Sequence, residues 1–165
     1  MSLAATLIQE LQIEAATTRR VLERVPDAQL SWAPAPKSRS LGHLAMHIAS
    51  NADGVTAMVI PNPTEFPGVS DTMPTSTAEV LETLDASIAA AVARLSAMSD
   101  PDLAEVWRVH AGGRELMAMP RIAFLRTVLL NHWYHHRGQL SVYLRLLGVP
   151  LPAIYGPSAD ENPFM

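Results

Sequence analysis

His132-Trp133-Tyr134-His135-His136-Arg137-Gly138-Gln139-Leu140 is the stretch from which the architecture of this chain is read. In a helix, residues four apart differ by about 40° around the axis, so His132 and His136 project the same way one turn apart. Leu125, Val128 and Leu129 upstream and Gln139, Leu140 and Tyr143 downstream share that line. The period therefore predicts a helix from about Pro120 to Leu147 whose apolar stripe carries both imidazoles toward the protein interior. Pro120 suits a first turn, and Gly148-Val149-Pro150 is a stop signal. At roughly 27 residues this is the longest expected element, spanning about 40 Å. A buried imidazole needs a hydrogen bond or a metal, and two in adjacent turns have the spacing of metal ligands.

Three more helices are expected upstream. Leu7, Leu11, Ala15, Thr18, Leu22 and Val25 recur on one face of a first helix, which Pro26 ends. Pro26, Pro34 and Pro36 make the next stretch a connector across the end of a bundle. A second helix starts near Ser38 to Ser40, runs through Leu41, Leu44, Ile48, Val55, Met58 and Val59, and stops at Pro61-Asn62-Pro63. Residues 61 to 75 read as a long loop. A third helix opens on Ser76 or Thr77, with Glu79 or Glu82 nearby, and aligns Leu81, Leu84, Ile88, Ala91, Val92, Leu95 and Met98. Between Asp100 and Pro120 the helical period fails; residues 106–110 and 114–119 flank Gly112-Gly113 and read as a short β-hairpin. The tail from Leu151 carries Pro152, Gly156, Pro157 and Pro163 and is expected to be ordered only where Ile154, Tyr155 or Phe164 packs back.

Composition bounds the chemistry. The 165 residues, 48% hydrophobic and 17% charged, describe one globular domain over 1–165 with a core large enough to need no covalent staple. With no cysteine, any metal must sit on nitrogen or oxygen. The net charge of −4, one lysine (Lys37) and scattered arginines offer no basic stripe, so nucleic acid is not an expected partner. No apolar run approaches a membrane span and the N-terminus lacks a signal-peptide pattern, so the expected location is cytoplasmic. The chain contains no Glu-x-x-His, no His-Glu-x-x-His, no Gly-x-Ser-x-Gly and no phosphate-cradling glycine loop.

The second helix supplies the complement to His132 and His136. His43 and His47 repeat the four-residue spacing, and His47 shares a face with Leu44, Ile48 and Asn51. A third imidazole is thus available from a facing helix, as bundle metal sites require. The spacing alone leaves His43 and His47 both open, with His43 also suited to an exposed or supporting role near the helix start. His110 reads as a surface residue of the hairpin, and His135 as a neighbour of the ligand line. Met46, Met58, Met117 and Met119 read as core filler. Arg137 points away from the ligand line, as a surface or interface ion pair would. Gln139, Asn51 and Tyr143 project toward the same volume as the imidazoles and are candidates to orient a ligand or substrate, or ordinary polar core residues. Three neutral imidazoles with open positions form a catalytic arrangement, in which a water or incoming thiol is acidified toward pKa ~7. A metal-binding or interaction protein without catalysis is the alternative, favoured if Asp160 or Glu161 closes the coordination sphere; haem between two histidines would leave the third unexplained.

His132–Leu140 followed by Leu144-Arg145-Leu146-Leu147-Gly148-Val149-Pro150 resembles the last helix of the DinB-like (DinB/YfiT) superfamily. Leu41-Gly42-His43-Leu44-Ala45-Met46-His47-Ile48-Ala49 resembles its second helix, and Ile154-Tyr155-Gly156-Pro157-Ser158-Ala159-Asp160-Glu161 its tail. The resemblance implies an all-α four-helix bundle of up-down-down-up type, with a divalent metal, usually Zn or Ni, on His47, His132 and His136. It favours His47 over His43. It also implies a small-molecule substrate, homodimers, and activities that include thiol-dependent S-transfer and isomerisation with a low-molecular-weight thiol.

Overall fold

In the computed structural model, which describes residues 2–68 and 72–164, four serines open helices. Ser2, Ser40, Ser76 and Ser99 each accept a hydrogen bond from the backbone N–H three residues on, satisfying a donor that the helix itself leaves orphaned. They start α1 (Leu3–Leu22), α2 (Leu41–Met58), α3 (Thr77–Ser96) and α4 (Asp100–Ala104). Residues 69–71 of the expected loop lie outside the described residues.

The first three helices follow the apolar periods of the sequence. Leu7, Leu11, Thr18 and Leu22 of α1, Leu41, Leu44 and Ile48 of α2, and Leu84, Ala91 and Leu95 of α3 are buried in one core. The α3 stripe sits slightly aside from expectation: Val80 and Ser87 are buried, while Leu81, Ile88 and Val92 are only half-buried. Helix α4 corrects the expectation of no helix after Asp100. Five residues are too few for a period to register, and its signature is instead the capping box in which Ser99 and Asp102 bond each other's backbone N–H groups.

The all-α class is also corrected, because the molecule is mostly helical with a three-stranded sheet. Strands β2 (Val106–Ala111) and β3 (Arg114–Pro120) form the expected hairpin, turning on Gly112 and Gly113 at φ 57° and 76°. Both angles lie in the left-handed region that glycine enters without strain. The unforeseen strand is β1 (Thr64–Glu65), which pairs in parallel with Val109 and His110. The Trp107 indole donates to the Pro61 carbonyl at 3.0 Å and so ties β2 to the same loop.

The final helix contains the departure that matters most. It comprises α5 (Arg121–Phe124), a π-helical run over Leu125–Asn131, and α6 (His132–Leu146). π-Helical i→i+5 bonding takes about one residue more per turn than the α-helix, so side chains beyond it lag by about one position, roughly 100°. The buried stripe of α6 accordingly runs through Trp133, Arg137, Leu140 and Leu144 instead of His132, His136 and Tyr143. The two histidines lie half-buried on its flank.

Arg137, expected at the surface, is 1% exposed. Its Nη1 pairs with Glu14 at 2.6 Å and donates to the Thr18 hydroxyl at 3.1 Å, while Nη2 donates to the Tyr155 hydroxyl. That hydroxyl donates in turn to Glu14 at 3.0 Å, and the rings of Tyr134 and Tyr155 lie 5.3 and 5.0 Å from the guanidinium carbon. The tail is thereby held by Tyr155, whose own ring is largely exposed, along with buried Pro152 and Ala153 and half-buried Ile154; Phe164 is 79% exposed. Removing one partner of a buried pair leaves the other charge desolvated, so Glu14→Leu is expected to lower unfolding free energy by about 3 kcal/mol in urea titrations. The double variant Glu14→Leu/Arg137→Met should recover part of that loss.

Candidate metal centre

The facing of α2 and α6 is set by two hydrogen bonds made within the turn that follows His47. The Trp133 indole donates to the Ile48 carbonyl at 2.8 Å, and the buried Asn51 amide donates to the Leu129 carbonyl in the π-helical run at 3.0 Å. Asn51 thus acts on the backbone that presents His132. With the helices so fixed, one nitrogen from each of His47, His132 and His136 falls within 4.8 Å of the others. The ring of His47 lies edge-on to those of His132 and His136, at 5.4 and 4.6 Å between centroids.

These three residues fit a metal. Imidazole nitrogens around a divalent ion at about 2.0–2.1 Å are separated by roughly 3–3.5 Å, a spacing the cluster reaches with small side-chain rotations. The Nε2 atoms of His132 and His136 are already 2.9 Å apart. Gln139 Oε1 accepts from His136 Nδ1 at 2.6 Å, which places that ring's proton on Nδ1 and leaves Nε2 with a bare lone pair. Two lone pairs at 2.9 Å repel, so His132 must carry its proton on Nε2 and donate to His136. Its buried Nδ1 then has no hydrogen-bond partner among the described residues. A cation held by His132 and His136 would remove both the repulsion and the need for that tautomer.

Burial pushes the His136 imidazole down to about 4, against the raising influence of its Gln139 bond; charge on His132, His135 and Arg39 pushes the same way as burial. His132 is lowered as well, first by burial and then by His135 and Arg39. Both rings are neutral at pH 7, the form that ligates metal.

The other expected participants lie elsewhere. His43 sits in the first turn of α2, with Nδ1 2.9 Å from the Ser40 hydroxyl. His110 is in β2 beside Glu115, and exposed His135 meets the His136 ring edge-on at 5.1 Å. Tyr143 packs edge-on to Trp32 at 5.7 Å, about two turns of α6 beyond His136. Met46 is buried as core filler, whereas Met117 is exposed on β3. Asp160 is taken by Arg145 and the Leu151 N–H, and Glu161 by Arg20, so neither tail carboxylate reaches the histidines. The cluster opens instead on a cavity of about 330 Å³ between α2, the π-helical run and residues 66–68. Arg39 lines this cavity and is the residue that sequence reasoning missed; it stands just before the α2 N-cap, where no periodicity marks it.

A mostly helical protein whose last helix and second helix converge three histidines defines the class, and comparison with known proteins defines the family. The model of the DinB superfamily matches residues 10–140, and the chain belongs to that superfamily. The Bacillus subtilis protein YrdA is 28% identical over 155 residues, covering 93% of this chain and 89% of YrdA. A DinB-like protein from Bacillus cereus shares the structure at a TM-score of 0.70 with 29% identity, over 90% of this chain and 95% of that one. A putative DinB family member from Exiguobacterium sibiricum has the same fold at a TM-score of 0.63 and 21% identity, over 97% of each chain.

Because Gln139 fixes the tautomer and orientation of His136, Gln139→Ala is expected to weaken divalent-ion affinity by about tenfold in a chelator-competition titration. Gln139 is exposed, so the melting temperature of the chelated protein should not change.

Proposed function

We propose that this protein is a metal-dependent enzyme, a transferase or hydrolase of small molecules, with His47, His132 and His136 as its metal ligands. The observation that carries the reading is the convergence of three imidazoles, two of which line a cavity, with both tail carboxylates committed to arginines. Structural zinc is normally closed by four protein ligands, whereas three leave room for a reactant. All-imidazole donors suit Zn or Ni. Thiol-dependent S-transfer, with a low-molecular-weight thiol as cosubstrate, is the reaction the family likeness favours.

Bound to three neutral ligands, a divalent ion supplies Lewis acidity that favours the deprotonated form of a water or thiol nucleophile at neutral pH. The chain's own residues do the rest. Gln139 holds the His136 proton at Nδ1 and keeps Nε2 directed at the cluster. Asn51 and Trp133 hold the helices in register, and Met58, Phe66 and Val128 give the cavity apolar walls that limit water. Contacts of α1 with α3, α3 with α2, α2 with α6 and α6 with α1 close a ring, which supports a four-helix arrangement; the up-down-down-up order is what the family likeness favours.

Elemental analysis of protein purified without a chelating tag tests the ligand set. About one divalent ion per chain is expected, lost in His132→Ala and in His136→Ala and kept in His110→Ala. Stoichiometric metal in either of the first two variants would refute the assignment. Metal that binds only the folded state stabilises it by mass action, so chelation should also lower the melting temperature of the parent protein.

A further inference from the structure

A second cavity, of about 260 Å³, adjoins the one beside the histidines and has no part in the metal reading. Its floor is Trp107, Val109 and Phe124, all buried, with the Trp107 and Phe124 rings 4.5 Å apart between centroids. The indole N–H of Trp107 is bonded to the Pro61 carbonyl, so no lining side chain among the described residues offers a strong hydrogen-bonding group. Around the mouth, Phe66, Leu116 and Met117 are 42%, 48% and 38% exposed. An apolar rim kept in water beside a recess is the mark of a ligand surface. Met58, Phe66 and Val128 line both cavities, which therefore meet across a shared wall. At the level of Val128 and Phe124, the second cavity lies one to two turns before His132, roughly 5–11 Å along the helix.

We propose that this second cavity holds an aryl group of the substrate, whose reacting end reaches the histidines past Met58, Phe66 and Val128 on a short linker. The proposal deepens the enzyme reading, and rests on it for the role of the aryl compound as substrate, though not for the binding of its ring. An apolar cavity of about 150 Å³ is enough to take benzene, so one of about 260 Å³ has room for a substituted ring. Aromatic and thioether walls favour an aromatic occupant over an alkyl one, because ring pairs and sulfur–ring contacts attract beyond the area they bury. A charged or strongly hydrated group would lose its water there and find no partner. Strands β2 and β3 supply Trp107, Val109, Leu116 and Met117, which gives the sheet a part in substrate selection.

The test is an NMR titration of the full chain, labelled with carbon-13 at its methionine methyls, with phenylbutanol and with butanol as the same linker lacking the ring. Phenylbutanol is expected to bind about tenfold or more tighter than butanol. It should move the methyl signals of Met58 and Met117 and leave that of Met98, which lies beside Asp102 and Arg121, in place. Leu116→Ser and Met117→Ser, at exposed positions, should each weaken phenylbutanol by about threefold or more. Far-UV circular dichroism and melting temperature establish that each variant is folded. Equal phenylbutanol affinity in wild type and both folded variants overturns the proposal, as does a wild type that binds phenylbutanol no tighter than butanol. Self-association that Leu116→Ser abolishes without changing phenylbutanol affinity would assign the rim to a second copy of the chain, and also overturns it. On zinc-loaded protein, phenylbutanethiol should bind about tenfold or more tighter than phenylbutanol, and His136→Ala should erase that gain; no gain at verified stoichiometric zinc overturns the connection to the histidines. Phenylbutanol should bind chelated protein equally well, so absence of stoichiometric metal in the parent protein would refute the metal centre alone.

Discussion

The azimuth of α6 is the constraint on which the rest depends. It is set by the π-helical run over Leu125–Asn131, which delays the following side chains by about one position. Without that delay the line through Leu125 would carry His132, His136 and Tyr143 into the core. With it, Trp133 and Arg137 take the interior and the histidines come to its edge, where a cavity can reach them. The wider turn disturbs the normal backbone bonding, and Asn51 donates to the Leu129 carbonyl within it. The same side chain thereby links the irregularity to α2, one turn from His47. Trp133 adds the second link through the Ile48 carbonyl. Backbone irregularity, interhelical register and ligand convergence are one arrangement.

Much of this was legible in the residues. The serine caps, the apolar periods of α1 to α3 and the Gly112-Gly113 turn follow from local rules that tertiary packing reinforces. Local rules also marked the four-residue spacing of His132 and His136, and the convergence with His47 follows the family resemblance. What escaped has physical reasons. A two-residue strand such as Thr64–Glu65 has no alternation to detect, and α4 is shorter than two turns. The π-helical run leaves no composition signature, so a 3.6-residue period carried through it placed the apolar stripe one residue early. That single slip accounts for the histidines lying half-buried at the edge of the core and for Arg137 lying inside it. Tyr143 keeps the azimuth of the histidines about two turns further along α6, where it packs on Trp32.

The arginines show how burial decides the role of a charge. Arg137 is enclosed with Glu14, Thr18 and two tyrosine rings, so its charge is matched within the protein and fastens α1, α6 and the tail together. Arg121 is likewise buried, donating to the Val59 and Asp102 carbonyls while paired with Glu105, and joins the end of α2 to α4. Both guanidiniums serve the scaffold.

The separation of faces on α6 bears on how such a protein can change over generations. Trp133, Arg137, Leu140 and Leu144 answer to packing, while His132, His136 and Gln139 lie along an adjoining strip of the same helix. Selection on one strip therefore acts with little interference from the other. A lineage can retune, exchange or discard its chemistry by substitutions that leave no hole in the interior, and the same scaffold can persist with quite different donors at its rim.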